Sequence, residues 1–341
     1  LPVIDRPLIQ YAVDEAREAG IEQLIFVTGR GKTALVEHFD MAFELETTMA
    51  DRAKSLEVLE PTRIQPGNLV AVRQQVQMGL GHAIWCARAI VGDEPFAIFL
   101  PDELMIANKG STGCMKQMVD AYNEVGGNLI SVLEVPQDEV SSYGVIAPGA
   151  KISDALTEVV GLVEKPKVAD APSNLIISGR YILQPEVMRT LENQEKGAGG
   201  EIQLTDAMAR MIGDQPFHAV KFAGRRFDCG SKTGFVEATL SLALERPDMA
   251  DEVRAILSAA GAPRAAESVQ LGRGGISLIG SVHTAMRLNL ESRLAPRVLW
   301  QVAEGRYRDE EDLYDIARTV PWTDWITPRQ TLRVDTSAVR S

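Results

Sequence analysis

Two aspartates lie where predicted strands end, and a carboxylate at either place could hold a metal ion. In FLPDE, Asp102 comes just after the apolar run 96–100, and ligands of open parallel sheets collect at the carboxyl ends of strands. In RRFDCGSKTG, Asp228 lies at a predicted strand-to-helix turn and is a candidate second metal ligand. Magnesium prefers oxygen ligands of this kind. The alternative for each aspartate is a helix N-cap or turn residue, and the pattern leaves it open.

A glutamate and a lysine end another apolar run, VVGLVEKPK, which is stopped by Pro166. Glu164 can accept hydrogen bonds from sugar hydroxyls, and Lys165 can bind a phosphate as a point charge. Neighbouring residues of a strand point to opposite faces unless the strand bends, so these two are not simply each other's partners. An exposed strand end is the alternative interpretation.

The stretch RQQVQMGLGHA combines an amide with two glycines ahead of a predicted helix. The side chain of Gln74 carries a donor and an acceptor, which match the imide edge of uracil or thymine. Gly79 and Gly81 would allow a ligand to approach the backbone closely. Taken alone, the two glycines favour the alternative, a simple strand-to-helix turn.

These side chains must be positioned by a framework of alternating strands and helices. The pattern predicts helices over 8–19, 34–53, 82–91 and 115–125, and strands over 23–28, 69–72, 96–100 and 128–135. Continuous apolar strands separated by helices predict a parallel sheet covered on both faces. After residue 135 the chain becomes strand-rich, and it is helical again from about residue 202.

Bulk composition excludes several classes of protein. The 341 residues carry a net charge of −12, which argues against a general binder of nucleic acid or membrane surfaces. The three cysteines form no CxxC pair, so neither a zinc site nor a disulfide framework is expected. No apolar run approaches the ~18 residues of a membrane span, and no signal pattern begins the chain. A cytoplasmic protein with reduced thiols is expected.

The C-terminal stretch differs from the rest in its basic residues. All ten lysines lie at or before Lys232, and from Arg264 onward 11 arginines face 10 acidic residues, which gives a net charge of +1 against −13 elsewhere. The tryptophans Trp300, Trp322 and Trp325 also lie in this stretch. Composition alone favours a C-terminal subdomain that begins near the sequence SAAGAPRAAE.

Taken together and in order, the motifs resemble the bacterial UTP–glucose-1-phosphate uridylyltransferase family over roughly residues 1–258. The resemblance rests on LPVIDRPLIQY, GLGHA, FAIFLPDE, SSYGVI, VVGLVEKP, GGEIQLTDA and FDCGSKTGF. It implies a Rossmann-like three-layer α/β/α nucleotidyltransferase domain over 1–260 with a β-rich sugar-binding part. The reaction it implies joins UTP and glucose 1-phosphate to give UDP-glucose and pyrophosphate, with Mg²⁺.

The resemblance also implies roles for individual residues. Asp102 would hold Mg²⁺ with help from Asp228, and Lys165 would bind the phosphate of glucose 1-phosphate. The other implied contacts are Glu164 and the backbone of Gly144 on the glucose, Gln74 and Gly81 on the base, and Glu201 near the sugar end. The histidines His82 and His218 are left as packing or surface residues. Family members commonly form dimers or tetramers, so a homo-oligomer is expected.

Members of this family begin with a strand and a glycine-rich phosphate loop before the residues that match LPVIDRPLIQ. The resemblance therefore implies a start inside the domain, without the phosphate loop, and predicts impaired turnover. A relative that uses dTTP or another sugar phosphate is the nearest alternative, although GEIQLTDA and GLVEKPK favour UTP and glucose.

The tail resembles an unrelated family. Its stretches NLESRLAPRVLW and DEEDLY are similar to the THUMP-bearing N-terminal region of bacterial 23S rRNA guanine-N2 methyltransferases, over roughly 264–341. The resemblance implies a small α+β fragment without its methyltransferase domain. The change in composition near residue 260 is then interpreted as a junction of two partial proteins and not as the start of a subdomain. An RNA-binding protein led by this tail, and a non-functional chimera, are the two alternatives to the enzyme.

Overall fold

The computed structural model describes residues 1–52, 55–193, 196–197, 200–259, 269–272 and 275–278. The chain divides into two compact units, Leu1–Arg246 and Pro247–Ser341. The tryptophans of the tail, and all of the predicted α+β fragment except two short strands, lie outside the described residues. The predicted domain limits at 260 and 264 therefore stay a prediction.

The elements of the first unit alternate at first and then become strand-rich, as the pattern predicts. Its helices are α1 (Leu8–Glu18), α2 (Ala34–Glu37), α3 (Phe43–Asp51), α4 (Leu80–Cys86), α5 (Arg88–Val91), α6 (Cys114–Val125), α7 (Glu186–Glu192), α8 (Leu204–Met211) and α9 (Lys232–Glu245). Its strands are β1 (Pro2–Val3), β2 (Arg6–Pro7), β3 (Leu24–Thr28), β4 (Leu69–Arg73), β5 (Phe96–Phe99), β6 (Glu103–Ala107), β7 (Asn128–Glu134), β8 (Gly144–Lys151), β9 (Leu156–Glu164), β10 (Leu175–Leu183), β11 (Phe217–Lys221) and β12 (Gly224–Asp228). In the second unit the structure describes α10 (Ala250–Ala259) and the antiparallel pair β13 (Val269–Gly272) and β14 (Gly275–Leu278).

The predicted long helix over 34–53 is wrong, because the chain breaks between α2 and α3. Phe39 lies in the break and is buried, with its ring centroid 5.5 Å from that of Phe26 on β3. The break thus places the ring of Phe39 against β3. The predicted helix over 82–91 is likewise divided into α4 and α5 at Ala87.

The main sheet has six strands in the order β5-β10-β7-β11-β9-β8 and is mixed rather than parallel. β10 returns between β5 and β7 and runs antiparallel to both, whereas β11 runs parallel to β7. The expectation of a purely parallel sheet is therefore wrong, since β8 and β9 form an antiparallel hairpin within it. This hairpin and β10 together are the strand-rich part predicted from the sequence.

Helices cover both faces of the sheet. On β7 and β11 successive residues alternate between the two sides: Leu129 and Val220 pack with α6, whereas Ile130 and Ala219 pack with α7 and α8. All four residues are at most 3% exposed, which explains the continuous apolar runs. The three-layer α/β/α fold class is confirmed.

Two smaller strand pairs complete the first unit. β3 and β4 form a parallel pair, and β6 and β12 form an antiparallel pair in which Asp228 lies opposite Glu103. The second pair brings together segments that are more than a hundred residues apart in the chain. Within the described residues, no helix is long and apolar enough to cross a membrane.

Candidate active site

The carboxylates of Asp102 and Asp228 meet beside Gly230. Asp102 lies in the turn between β5 and β6, and Asp228 is the last residue of β12. The backbone N–H of Cys229 donates to the carbonyl of Asp102 at 2.8 Å, which ties the two segments together. A Cβ added to Gly230 would lie 3.1 Å from Asp228 Oδ1 and 3.2 Å from Asp102 Oδ2. The structure thus joins the two predicted metal ligands.

Several negative charges lie close together around this pair, and their repulsion raises the free energy of the ionised carboxylates. Asp102 is exposed at the surface, yet partial burial of its carboxyl group raises its pKa, and the carboxylates of Glu103 and Asp228 raise it further. Arg226 counters them, but its own ion pair is with Glu103. A cation placed between Asp102 and Asp228 would relieve this repulsion.

The donor set fits a hard divalent cation such as Mg²⁺. Two carboxylates supply oxygen ligands, and glycine at position 230 leaves the space beside them free of a side chain. No group of three or more histidine, cysteine or acidic residues among the described residues could hold a metal ion. The remaining ligands would have to come from water or from a bound phosphate, as is usual for Mg²⁺.

A second group forms where β8 begins and β9 ends. Gly144 is paired with Glu164, and a Cβ added to Gly144 would lie 3.2 Å from Glu164 Oε2 and 3.3 Å from the hydroxyl oxygen of Thr205. Thr205 was not predicted, although it lies within the quoted motif GGEIQLTDA, at the start of α8. A carboxylate and a hydroxyl beside a bare glycine suit a ligand rich in hydroxyl groups.

Lys165 has a left-handed backbone, with a φ of 46°, directly after β9. This conformation interrupts the strict alternation of side chains along a strand directly after Glu164. The backbone N–H of Lys165 donates to the carbonyl of Tyr143 at 3.0 Å. Its side chain is exposed and has no ion pair with any described residue, so the ammonium group is available to an anion.

A third group is built around Gln74, directly after β4. The amide nitrogen of Gln74 donates to the carbonyl of Gly79 at 3.1 Å and lies 3.0 Å from Nδ1 of His82. Gly79 has a φ of 103°, which favours glycine. These contacts fix the amide and leave its oxygen for a ligand. His82, left as a packing residue from the sequence, here contacts a candidate site residue.

Gly81 has a different environment from Gly79. It is buried on α4, its backbone N–H donates to the carbonyl of Ile202 at 2.9 Å, and an added Cβ would lie 2.7 Å from a methyl group of Leu191. Of the two glycines, Gly79 is therefore the one in contact with Gln74. The predicted contact of Gly81 with a base stays a prediction.

Glu201 lies beside the third group, because a Cβ on Gly79 would be 2.8 Å from the Cβ of Glu201. The next residue, Ile202, donates its N–H to the carbonyl of Met78 at 2.7 Å. Since Thr205 lies beside Gly144, the segment 201–205 connects the second and third groups. The predicted place of Glu201 at the sugar end is not tested by these contacts.

Arg226 connects the first and second groups. Its guanidinium forms an ion pair with Glu103, next to Asp102, and lies 5.0 Å from the ring centroid of Tyr143. Tyr143 precedes Gly144 and accepts the N–H of Lys165. Seven of the eight predicted site residues therefore lie in or beside three local groups, and Gly81 is the exception, packed against Leu191 and Ile202. Thr205, His82 and Arg226 contact these groups and were not predicted as site residues.

Comparison with protein families matches two parts of the chain. Residues 1–245 match the nucleotidyl transferase family, and residues 307–341 match the THUMP domain. The tail match lies outside the described residues, and it agrees with the predicted THUMP resemblance over a shorter range.

Named relatives cover most of the first unit. The UTP–glucose-1-phosphate uridylyltransferase of Komagataeibacter xylinus is 51% identical over 234 residues, which are 68% of this chain and 81% of the relative. The enzyme of the same name from Pseudomonas aeruginosa is 47% identical over 240 residues, or 70% of this chain and 85% of the relative.

Solved structures show the same similarity. A UTP-bound UGPase from Acinetobacter baumannii superposes with a TM-score of 0.68 at 40% identity, covering 75% of this chain and 89% of that one. A UDP-glucose pyrophosphorylase complexed with UDP-glucose superposes with a TM-score of 0.64 at 38% identity, covering 72% and 90%.

Proposed function

We propose that the chain, which belongs to the nucleotidyl transferase family and to its UTP–glucose-1-phosphate uridylyltransferases, forms UDP-glucose and pyrophosphate from UTP and glucose 1-phosphate. The observation that carries the proposal is the convergence of the Asp102 and Asp228 carboxylates at the end of β5. The names of the relatives support the choice of substrates.

The proposed reaction is an in-line displacement at the α-phosphorus of UTP. A phosphate oxygen of glucose 1-phosphate forms the new bond to this phosphorus, and the bond to the bridging oxygen of the β-phosphate breaks with its electron pair. Pyrophosphate leaves, and no proton transfer by the protein is needed. Catalysis then consists of alignment and charge neutralisation by fixed side chains.

Asp102 and Asp228 would hold the Mg²⁺ ion, which when bound neutralises phosphate charge and draws the substrates' oxygens into line. Asp228 is itself held by its place in β12 and by the N–H of Gly230, which donates to its Oδ1 at 3.0 Å. The protein's part is to keep both carboxylates in place before substrates arrive.

The second group would bind the sugar phosphate. In this proposal Lys165 contacts the phosphate with its unpaired ammonium group, and Glu164 accepts hydrogen bonds from sugar hydroxyls. Glycine at position 144 lets Glu164 and Thr205 approach the start of β8 closely, since an added Cβ would lie 2.9 Å from a methyl group of Ile177 and within 3.3 Å of both polar side chains. The hydroxyl of Thr205 would add a further sugar contact.

The third group would bind the base. The oxygen of the Gln74 amide would accept the imide N–H of uracil, since its nitrogen is held by Gly79 and His82. Thymine presents the same imide edge, so this contact alone does not separate UTP from dTTP. The preference for UTP is proposed from the relatives.

The test is pyrophosphate release by the purified chain, measured with Mg²⁺ and with either UTP or dTTP as the nucleotide. We expect UDP-glucose as the product and a loss of turnover when Asp228 is replaced by alanine. Turnover that is equal with and without Asp228, or a clear preference for dTTP, would contradict the assignment. Size-exclusion chromatography with light scattering on the same sample tests the proposed homo-oligomer.

A second proposed function concerns the tail, because residues 307–341 match the THUMP domain. We propose that RNA is its ligand class, as the resemblance to rRNA methyltransferases implies. A gel-shift titration of the whole chain with structured RNA tests this, and binding that is unchanged when the tail is removed would contradict it.

A further inference from the structure

A buried ion pair lies directly behind the turn that carries Asp102. Arg180 of β10 is 1% exposed and Glu15 of α1 is 8% exposed. The guanidinium is bound by both carboxylate oxygens: Nε lies 3.1 Å from Oε1 and 3.0 Å from Oε2, and Nη2 lies 2.8 Å from Oε2. Neither residue is part of the three groups described above.

The other donors of Arg180 go to the backbone on both sides of Asp102. Nη1 donates to the carbonyl of Leu100 at 3.1 Å, and Nη2 donates to the carbonyl of Glu103 at 3.0 Å. A further bond runs from Nη1 to the carbonyl of Gly179. One side chain thus holds the first and last residues of the four-residue turn.

The local structure of β10 is shaped for this contact. Its register with β7 shifts between Ile177 and Tyr181, so the strand bulges around Gly179 and Arg180. Gly179 donates its N–H to Oε2 of Glu103 at 3.0 Å, and a Cβ there would lie 2.6 Å from the Cβ of Leu100. Because residue 179 is glycine, the backbone of the bulge approaches Leu100 more closely than a residue with a Cβ would allow.

The carboxylate of Glu15 is itself held by a hydrogen bond from α6. Its Oε1 accepts the backbone N–H of Met115, at the start of α6, at 3.0 Å. The position of Arg180 is therefore set by α1 and α6 together. Because α1, α6 and β10 contribute to the buried core, Arg180 connects the turn to the core of the domain.

Stability alone is a weak reason for such a pair. Removing two charges from water costs several kcal/mol per ion, and well-packed apolar residues of similar volume often stabilise a protein as well or better. Apolar residues cannot supply the planar set of N–H donors by which Arg180 reaches three backbone carbonyl oxygens and a carboxylate at once. The arrangement therefore contributes more to the geometry of the turn than to the free energy of unfolding.

We propose that Arg180, oriented by Glu15, is a positioning residue that fixes the turn 100–103 and so holds the Asp102 carboxylate against Asp228. Arg180 acts through the backbone and touches no substrate. The consequence for metal binding rests on the proposed function, whereas the fixing of the turn does not.

The test compares three variants of the whole chain by hydrogen-exchange mass spectrometry and by titration with Mn²⁺. Arg180→Lys keeps a charge for Glu15 but loses the second carbonyl contact. The double variant Glu15→Gln, Arg180→Met removes both charges, so no unpaired charge is buried if the lysine variant fails to fold. Phe217→Ala is the control: it removes a side chain that is 1% exposed on β11 and lowers stability away from the turn.

We expect faster exchange at the amides of Leu100, Asp102, Glu103 and Cys229 in both Arg180 variants, and no such local change in the control. The dissociation constant for Mn²⁺ should rise roughly 10–100-fold, the usual effect of removing an outer partner of a metal ligand. Unchanged exchange at the turn in both variants, or equal loosening in Phe217→Ala, would overturn the inference. Absence of Mn²⁺ binding to the wild-type chain would count against the proposed function, while the exchange data would still decide the role of Arg180.

Discussion

At the scale of residues, the ionised carboxylate of Asp102 lowers the stability of the fold, and the same carboxylate is the proposed ligand of a cation. Burial raises its pKa above the ordinary value, and the neighbouring carboxylates of Glu103 and Asp228 act in the same direction. A carboxyl group with a raised pKa binds its proton more tightly in the folded than in the unfolded state. Its favourable contribution is therefore present below the ordinary pKa and is lost as the pH rises through the folded value, so that the ionised group opposes folding at neutral pH.

We predict that Asp102→Asn raises the melting temperature at pH 7 in the absence of divalent metal, because the amide removes one of the mutually repelling charges. The gain should vanish near pH 3, where the wild-type carboxyl group is protonated. Thermal unfolding followed at both pH values checks this. A melting temperature that falls at pH 7 would show that Asp102 is stabilising as a carboxylate.

The same substitution should impair turnover. If Asp102 supplies a few kcal/mol of transition-state stabilisation, Asp102→Asn lowers kcat on the order of 10²-fold or more. Steady-state pyrophosphate release at saturating Mg²⁺ and substrates gives the ratio. Nearly wild-type turnover would remove Asp102 from the proposed metal site.

Lys165 offers a test that separates the two substrates. Lys165→Ala should raise the KM for glucose 1-phosphate roughly 10–100-fold, the loss of one charge-assisted hydrogen bond, and leave the affinity for UTP unchanged. Lys167→Ala is a matched control, since this lysine is also exposed and lies two residues away. Equal losses for both substrates, measured by kinetics and by calorimetric titration with UTP, would indicate misfolding instead.

At the scale of elements, the loop before α4 depends on the segment that leads into α8. Gly79 has a positive φ and faces the carbonyl of Ile202, from which an added Cβ would be only 2.7 Å away. Gly110 also has a positive φ, but an added Cβ there meets nothing within 4 Å. A substitution at Gly110 therefore introduces backbone strain alone, whereas one at Gly79 introduces strain and steric crowding.

We predict that Gly79→Ala lowers both stability and UTP affinity, whereas Gly110→Ala shows only the strain of a left-handed residue, about 1 kcal/mol. The loss of UTP affinity should be about tenfold, corresponding to one lost hydrogen bond between Gln74 and the displaced Gly79 carbonyl. Chemical denaturation and calorimetric titration of both variants measure this. Similar behaviour of the two variants would mean that the contact with Ile202 is dispensable.

The contrast between predicted and observed elements has a physical cause. Buried runs such as 96–100 are visible in the sequence because apolar residues and strand length are local properties. The placement of β10 between β5 and β7, and the bond between Arg180 and Glu15 across 165 residues, depend on pairing that no local pattern contains. Thr205 was missed for the same reason, since only the fold brings it to Gly144.

At the scale of the whole molecule, every candidate site residue lies in the unit Leu1–Arg246. The two candidate metal ligands were predicted from local sequence, Asp102 after an apolar run and Asp228 at a strand-to-helix turn, but their meeting required the pairing of β6 with β12. The shift in charge and basic residues toward the tail favoured a subdomain, whereas the motifs NLESRLAPRVLW and DEEDLY indicated a second protein family, and residues 307–341 match the THUMP domain.

We predict that a shortened chain ending at residue 259 binds UTP with the affinity of the whole chain and has the same kcat/KM, because the three groups of site residues all precede that point. Titration with UTP and steady-state kinetics of the two proteins provide the comparison. Loss of binding in the shortened but folded chain would show that the tail contributes to the site.

The pairing of β6 with β12 also sets an order of events during synthesis. Asp102 is made early, but its partner follows only after the hairpin β8–β9, the strand β10 and the helices α7 and α8 have been translated. Contacts so distant along the chain form slowly, since a long loop must close before they can contribute. The proposed cation site is therefore incomplete in a nascent chain until residue 228 has left the ribosome, and β12 is the strand that completes it.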